Sequence, residues 1–284
     1  MFVIKYKLYY YAHARVAKGD GAMSDFLEKL AKVFRSDEYE KSHPFTSAII
    51  LCAGSGTRFA PDGSVTKQNV LVCGVPVAVR SILAFEACKF ADEIIVVCRA
   101  DEIAAFEAYR AEYGFTKVAK IVEGGATRQE SSLRGFEAIN DKAKYVMIHD
   151  GARCLVTPEI IEATARAAYK NRAAVAAERC RDTVKLSDNA RTTTETADRD
   201  KIWLAKTPQA FYANLYRAAA YMANKDGAAV TDDASMAERL GFEVTLVDCG
   251  SQNLKITYPD DVILAEAIIR ARESGKGTEG EQDD

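Results

Sequence analysis

From Ser47 to Tyr169 the sequence alternates short apolar runs, rich in β-branched residues, with longer stretches whose apolar positions recur at helical spacing. The pairs are Ser47–Cys52 with Val77–Ala87, Glu93–Cys98 with Ile103–Tyr113, Val118–Val122 with Arg128–Ile139, and Tyr145–His149 with Pro158–Tyr169. Strands that are apolar at nearly every position need cover on both faces, and intervening helices supply it. The pattern therefore predicts an α/β fold with a mostly parallel sheet and helices on both faces. In such sheets ligands gather at the carboxyl ends of the strands, near a reversal of strand order. The residues just after each strand are the ones to search for chemistry.

After Ala173–Ala177 the rhythm changes. Residues 181–207 are rich in Thr, Asp, Arg and Lys and lack a helical stripe, which reads as a protruding β-arm. Phe211–Ala223 and Asp232–Leu240 read as helices, Glu243–Val247 as a strand, and Pro259–Arg272 as a closing helix with proline in its first turn. The expected organisation is an N-terminal extension over 1–45, one main domain over 46–272, and a Gly/Glu/Asp-rich tail over 273–284 expected to be disordered. Lys18-Gly19-Asp20 can be encoded by a purine-rich stretch of the kind that precedes bacterial start codons, so translation is expected to begin at Met23. Apolar residues at 26, 27, 30, 31 and 34 would then form a short amphipathic helix.

Composition sets limits on partners. With 38 basic and 41 acidic side chains the formal charge is -3, which provides no chain-wide positive field for nucleic acid or an anionic membrane. Any polyanionic ligand has to be met by local cations. The seven cysteines are odd in number and scattered through apolar runs, and no signal-peptide layout opens the chain, so a reduced, cytoplasmic protein is expected.

The first strand runs into Ala53-Gly54-Ser55-Gly56-Thr57-Arg58, where two glycines let backbone N–H groups approach a phosphate chain. A ligand-free β–α turn can have the same composition, and neither a dinucleotide fingerprint nor a P-loop is completed, since Phe59 stands where a third glycine would be needed. Two tethered cations, Arg58 and Lys67 of Thr66-Lys67-Gln68, add the capacity to bracket a phosphate that gains charge in a reaction. A second glycine pair opens the helix in Gly124-Gly125-Ala126-Thr127-Arg128, and His149-Asp150-Gly151-Ala152-Arg153 sets a carboxylate and a guanidinium at the same sheet edge. These could hold ribose or substrate hydroxyls and a phosphate, or form a structural ion pair. His149 has no ligand-spaced partner and reads as a core histidine; no nucleophile elbow or Cys–His pair is present.

Taken in order with Arg181-Asp182-Thr183, Lys206-Thr207-Pro208-Gln209, Thr231-Asp232-Asp233-Ala234-Ser235 and Asn253-Leu254-Lys255-Ile256-Thr257, these motifs closely resemble the 2-C-methyl-D-erythritol 4-phosphate cytidylyltransferases, over about Ser47 to Ala271. The resemblance implies a Rossmann-like nucleotidyltransferase that uses CTP with Mg²⁺ and forms a homodimer through the arm. It implies that Arg58, Lys67 and Lys255 are catalytic, and that Ala53, Gly54, Ser55, Gly56, Thr57, Gly124, Gly125 and Ser131 hold the nucleotide. It further implies that Asp150, Arg153, Thr183, Arg199, Thr207 and Lys255 gather around the polyol phosphate, with no protein ligand set for the metal. Cys154 stands where the family usually has proline, which is expected to loosen the turn that sets Arg153. The alternatives are a cytidylyltransferase for ribitol 5-phosphate or another polyol phosphate, a non-catalytic nucleotide-binding regulatory domain, and a transferase using a nucleotide sugar. The last lacks an Asp-x-Asp motif at a strand end.

Overall fold

The computed structural model describes residues 44–54, 56, 58–60 and 66–274. The expected start at Met23, the helix over 25–34, Ser55, Thr57 and the tail beyond 274 lie outside the described residues. The elements are strands β1 (Thr46–Leu51), β2 (Leu71–Val72), β3 (Val75–Pro76), β4 (Glu93–Cys98), β5 (Val118–Glu123), β6 (Tyr145–Asp150), β7 (Ala173–Arg179), β8 (Lys185–Leu186), β9 (Glu195–Thr196), β10 (Trp203–Tyr212) and β11 (Thr245–Asp248). The helices are α1 (Val77–Ala87), α2 (Ile103–Glu112), α3 (Arg128–Glu137), α4 (Pro158–Asn171), α5 (Ala213–Lys225), α6 (Asp233–Arg239) and α7 (Asp260–Glu273).

Seven strands form one sheet in the order β11-β7-β10-β6-β1-β4-β5. All run parallel except β10, which is antiparallel to both β6 and β7. The chain travels outward from β1 to β4 and β5, then returns to lay β6 on the other side of β1. That reversal opens a crevice at the carboxyl ends of β1 and β6.

The two-residue period of the strands divides the core. In β1, Ala48 and Ile50 face a layer built with Ile82 and Phe85 of α1, Phe106 of α2 and Ile161 of α4. Ile49 and Leu51 face the opposite layer with Phe136 of α3 and Leu215 and Tyr216 of α5. Gly135 is what lets α3 lie so close to β1, because a Cβ there would collide with Ile49 Cγ2. A third, smaller cluster packs α7 against β2, the first residue of α1 and the Ala152–Leu155 turn.

Two expected boundaries are corrected. Residues 203–207 are not in the arm but in β10, and Phe211 and Tyr212 end that strand instead of starting a helix; α5 begins at Ala213. Lys206, Thr207 and Gln209 disguise the strand because buried polar residues interrupt its apolar pattern. Each has a partner that makes burial tolerable: Lys206 Nζ lies 2.6 Å from Glu178 Oε2, and Gln209 donates to Asp232 Oδ2 at 2.8 Å. The exposed arm thus ends at Ile202 and consists of the β8–β9 ribbon and a 3₁₀ turn, Arg199–Lys201.

Candidate active site

At the crevice, the ends of β1, β5 and β6 and the segment before α7 surround a cavity of about 420 Å³. Ala53, Gly54, Gly56, Arg58, Lys67, Gly125, Ser131, Asp150 and Lys255 line it, together with Gln68, Arg128 and Thr257. Of the residues expected in the site, Gly124, Arg153, Thr183, Arg199 and Thr207 lie outside the lining.

The glycine loop after β1 is anchored from two sides. Cys52 N–H donates to Val97 O at 2.6 Å, and Gln68 Nε2 donates to Gly54 O at 3.1 Å. The second glycine pair is shaped by the start of α3, where Thr127 caps the helix by accepting from Glu130 N–H at 3.1 Å. Glu130 Oε2 answers by accepting from Ala126 N–H at 2.7 Å, a variant of the reciprocal capping arrangement. Ser131 Oγ accepts from Gly125 N–H at 3.0 Å and donates to Thr127 O at 2.9 Å. Gly124 is packed beneath this turn, where an added Cβ would collide with Ala53 Cβ and come within 2.8 Å of Ser131 Oγ. Its place in the site is therefore structural: it lets the two glycine turns touch.

Asp150 is the electrostatic hub. Lys255 Nζ donates to its Oδ2 at 2.8 Å and Arg128 Nε donates to its Oδ1 at 3.1 Å, while Arg153 Nε stands 3.8 Å away. Burial alone would raise the Asp150 pKa, but Arg128, Lys255 and Arg153 overwhelm it and hold the carboxyl well below the usual range. Arg128 also donates to Asp233 Oδ2 at 2.7 Å, and Asp233 Oδ1 accepts from Ser132 Oγ at 2.7 Å and Tyr216 Oη at 3.1 Å. The guanidinium is clamped between two carboxylates. Sequence reasoning quoted Arg128 within a motif without assigning it a role; its partners are 22 and 105 residues away in the chain, so no local signal pairs them.

Lys67 is shifted toward its neutral form. Burial lowers its pKa most, and the nearby charges of Lys255 and Arg58 lower it further against the pull of Asp150. The three cations therefore share one field, in a site fit to receive an anion.

Thr207 is corrected from a substrate contact to a residue beneath the site. Its Oγ1 accepts from Asp150 N–H at 3.0 Å and lies 3.0 Å from His149 Nδ1, and the residue is 3% exposed. Burial drives the His149 pKa down from 6.5 to about 3, so the ring is neutral. A neutral ring with Nδ1 accepting from Thr207 leaves Nε2–H to face Arg153 O, 3.4 Å away. Arg153 also lies outside the cavity lining: its Nη1 donates to Asn253 O at 3.0 Å, which ties it to the Lys255 segment, while its buried Nε makes no hydrogen bond among the described residues. The turn before Cys154 is closed by Arg153 N–H donating to Asp150 O at 2.9 Å, and Cys154 packs in the third cluster. Thr183 and Arg199 sit on the exposed arm, where Arg199 Nη1 donates to Arg181 O at 3.1 Å.

Among the described residues no three His, Cys, Asp or Glu side chains converge as a metal-ion ligand set, and no helix is long and apolar enough to cross a membrane. All seven cysteines are free.

Residues 46–271 match the family model described as IspD, 2-C-methyl-D-erythritol 4-phosphate cytidylyltransferase. The enzyme of that name from Syntrophus aciditrophicus is 40% identical over 231 residues, covering 81% of this chain and 98% of the relative. The crystal structure of 4-diphosphocytidyl-2C-methyl-D-erythritol synthase from Anaerococcus prevotii is similar with a TM-score of 0.71 at 30% identity, covering 80% of this chain and 97% of that one. The cytidylyltransferase structure from Thermus thermophilus gives 0.63 at 30% identity, covering 78% and 98%.

Proposed function

The chain belongs to the 2-C-methyl-D-erythritol 4-phosphate cytidylyltransferase family, and on that premise we propose that it transfers CMP from CTP to 2-C-methyl-D-erythritol 4-phosphate in isoprenoid biosynthesis. A phosphate oxygen of the polyol phosphate attacks the α-phosphorus of CTP, the α–β anhydride bond breaks, and pyrophosphate leaves with the bonding electrons. The product is 4-diphosphocytidyl-2-C-methyl-D-erythritol.

The observation that carries this reading is the convergence of Arg58, Lys67 and Lys255 on one cavity lined by the two glycine turns. A phosphate monoester with a second pKa of about 6 is already largely a dianion at neutral pH, so the attacking group needs no general base. The neutral, buried His149 is consistent with that economy. What the reaction does need is relief of repulsion between two polyanions, and a negative transition state held by positioned cations. In this reading Arg58 and Lys67 bracket the α-phosphate, the backbone of Ala53–Thr57 and Gly125 with Ser131 holds CTP, and Lys255, oriented by Asp150, faces the incoming phosphate.

Mg²⁺ enters the proposal as a companion of the triphosphate. Asp150, the carboxylate at the cavity, is already engaged by Lys255 and Arg128, which suits a metal held mainly by phosphate oxygens and water. When bound it would supply charge neutralisation on the leaving pyrophosphate. The proposal extends to a homodimer in the cytoplasm. The arm exposes Leu186 and carries Thr183 and Arg199, and a second copy would bring those two side chains to a cavity that they do not line in their own chain.

The test is pyrophosphate release with CTP, Mg²⁺ and 2-C-methyl-D-erythritol 4-phosphate. Lys67→Ala should lower turnover by about 10²–10³. Ribitol 5-phosphate run alongside should be a poor substrate; release with it alone would transfer the mechanism to another polyol. Tight CTP binding with no release from either would sink the catalytic reading.

A further inference from the structure

Lys67 rides on a tight turn whose anchor lies outside the cavity. The turn closes through Asn69 N–H donating to Thr66 O at 2.9 Å and Asn69 Nδ2 donating to Thr66 Oγ1 at 2.8 Å. Thr66 Oγ1 in turn donates to Glu102 Oε1 at 2.8 Å, and Asn69 Nδ2 stands 3.4 Å from the same oxygen. Tyr109 of α2 completes the fastening by donating from its hydroxyl to Asn69 Oδ1 at 3.3 Å. On the far side of Lys67, Gln68 is tied to the glycine loop through Gly54 O. Residues 66 to 69 are thus pinned at both ends, with the Lys67 side chain free to enter the cavity.

Glu102 itself is hard to explain by the local fold. It occupies the N-cap position of α2 yet makes no side-chain capping bond, and it is 5% exposed. Burying a carboxylate is costly unless it is paired. Its second oxygen faces Arg99 Nε at 3.4 Å in poor hydrogen-bond geometry. Its well-formed bond goes to Thr66, 36 residues away and adjacent to Lys67.

We propose that Glu102 is a positioning residue for Lys67: it fixes the Thr66–Asn69 turn from the β4–α2 connection and so sets where the Lys67 ammonium meets the reacting phosphate. This rests on the reading of Lys67 as a catalytic cation. Displacing a catalytic group by a fraction of an ångström to one ångström costs up to about a hundredfold in rate. Loosening one of two anchors should cost about tenfold in kcat, with the KM for CTP less affected, since CTP keeps the glycine turns, Arg58 and Lys255.

A double-mutant cycle reads this directly. The unchanged protein, Glu102→Ala, Lys67→Ala and the double variant are compared for kcat, KM and melting temperature. Glu102→Gln is added because its amide oxygen can still accept from Thr66. The expected result is about a tenfold loss of kcat for Glu102→Ala in the presence of Lys67 and less than about twofold in its absence, with Glu102→Gln close to the unchanged protein. An equal loss in both backgrounds would mean that Glu102 acts through the fold at large, and no loss at all would mean that the turn needs no such anchor; either overturns the proposal. Silence of the unchanged protein would instead be the failure of the catalytic reading. The anchor is then judged from the ¹³C signal of reductively methylated Lys67 in the unliganded protein, assigned by its disappearance in Lys67→Ala. Glu102→Ala should displace that signal, and an undisplaced signal overturns the inference.

Discussion

Thr207→Val replaces a hydroxyl by a methyl of nearly the same shape, so its consequence is chemical rather than steric. The lost oxygen accepts from Asp150 N–H at 3.0 Å and stands 3.0 Å from His149 Nδ1, and all three groups are buried. Two polar groups are left without partners where water has no easy access. At about 1–3 kcal/mol for each orphaned group, the loss of stability is roughly 2–6 kcal/mol. For a domain of this size that corresponds to a fall in melting temperature of about 4–24 °C. Thr207→Ser keeps the hydroxyl and deletes one methyl, which costs about 1 kcal/mol in a well-packed site. Urea denaturation of the two variants provides the assay, with the difference in midpoint at constant m as the measured quantity. If valine and serine cost the same, the hydroxyl does not carry the energy and the assignment of Thr207 beneath Asp150 is wrong. If valine leaves stability intact and raises only the KM for the polyol phosphate, Thr207 contacts substrate as the family resemblance implied.

Three further outcomes follow from the geometry. Gly124→Ala should weaken CTP binding by at least about tenfold, because its Cβ would drive apart Ala53 and Ser131; equilibrium binding of CTP measures it, and an unchanged affinity refutes the close approach of the two turns. Asp233→Asn removes the charge that clamps Arg128 from behind while leaving the side chain's size. Breaking one partner of such a buried pair costs about 3–5 kcal/mol, to be read by urea denaturation, and a loss under about 1 kcal/mol would show that Asp150 alone suffices. His149 is neutral in the folded chain down to about pH 3 but titrates near 6.5 when unfolded, so the unfolded state binds the extra proton in between. Stability therefore falls on acidification below about pH 6.5, by up to about 1.4 kcal/mol per pH unit, and His149→Gln should flatten that slope between pH 7 and 4.5.

The parts of this molecule legible from sequence were those whose signal is local. The strand–helix alternation over Ser47–Tyr169 gives the layers because burial on both faces forces apolar runs, and the post-strand glycines mark the crevice because close backbone approach forces glycine. What stayed hidden depended on contacts distant in the chain. β10 carries Lys206, Thr207 and Gln209 in its buried stretch, and only their partners on β6, on β7 and just before α6 make such a strand possible. Arg128 and Asp233 are 105 residues apart, so neither announces the other. Arg153 shows the same limit: a guanidinium beside a post-strand carboxylate suggests phosphate binding, but its neighbour in the sequence gives no hint that Nη1 turns to Asn253 O, 100 residues away. Residue type and place in the sequence restricted the candidates, while the direction of each side chain was decided by the tertiary fold.

The charges of the site divide by what they are paired with. Arg128 is shared between Asp150 and Asp233, and Lys255 is bound to Asp150, so those two cations are oriented before any ligand arrives. Among the described residues neither Arg58 nor Lys67 has a carboxylate within salt-bridge distance, and Lys67 is pushed toward its neutral form by burial and by its cationic neighbours. Arg58 is exposed and keeps its hydration, whereas Lys67 carries its charge against burial and cationic neighbours, so an entering anion relieves Lys67 most. Because the low dielectric of a buried site strengthens each such interaction, the largest gain goes to the species with the most charge at the point they face. In phosphoryl-type transfer that species is the transition state at the α-phosphorus, which carries more negative charge there than bound CTP does. In the proposed reaction, Arg58 and Lys67 would therefore discriminate between ground state and transition state, and the carboxylate-bound Arg128 and Lys255 would hold the frame in which that discrimination is made.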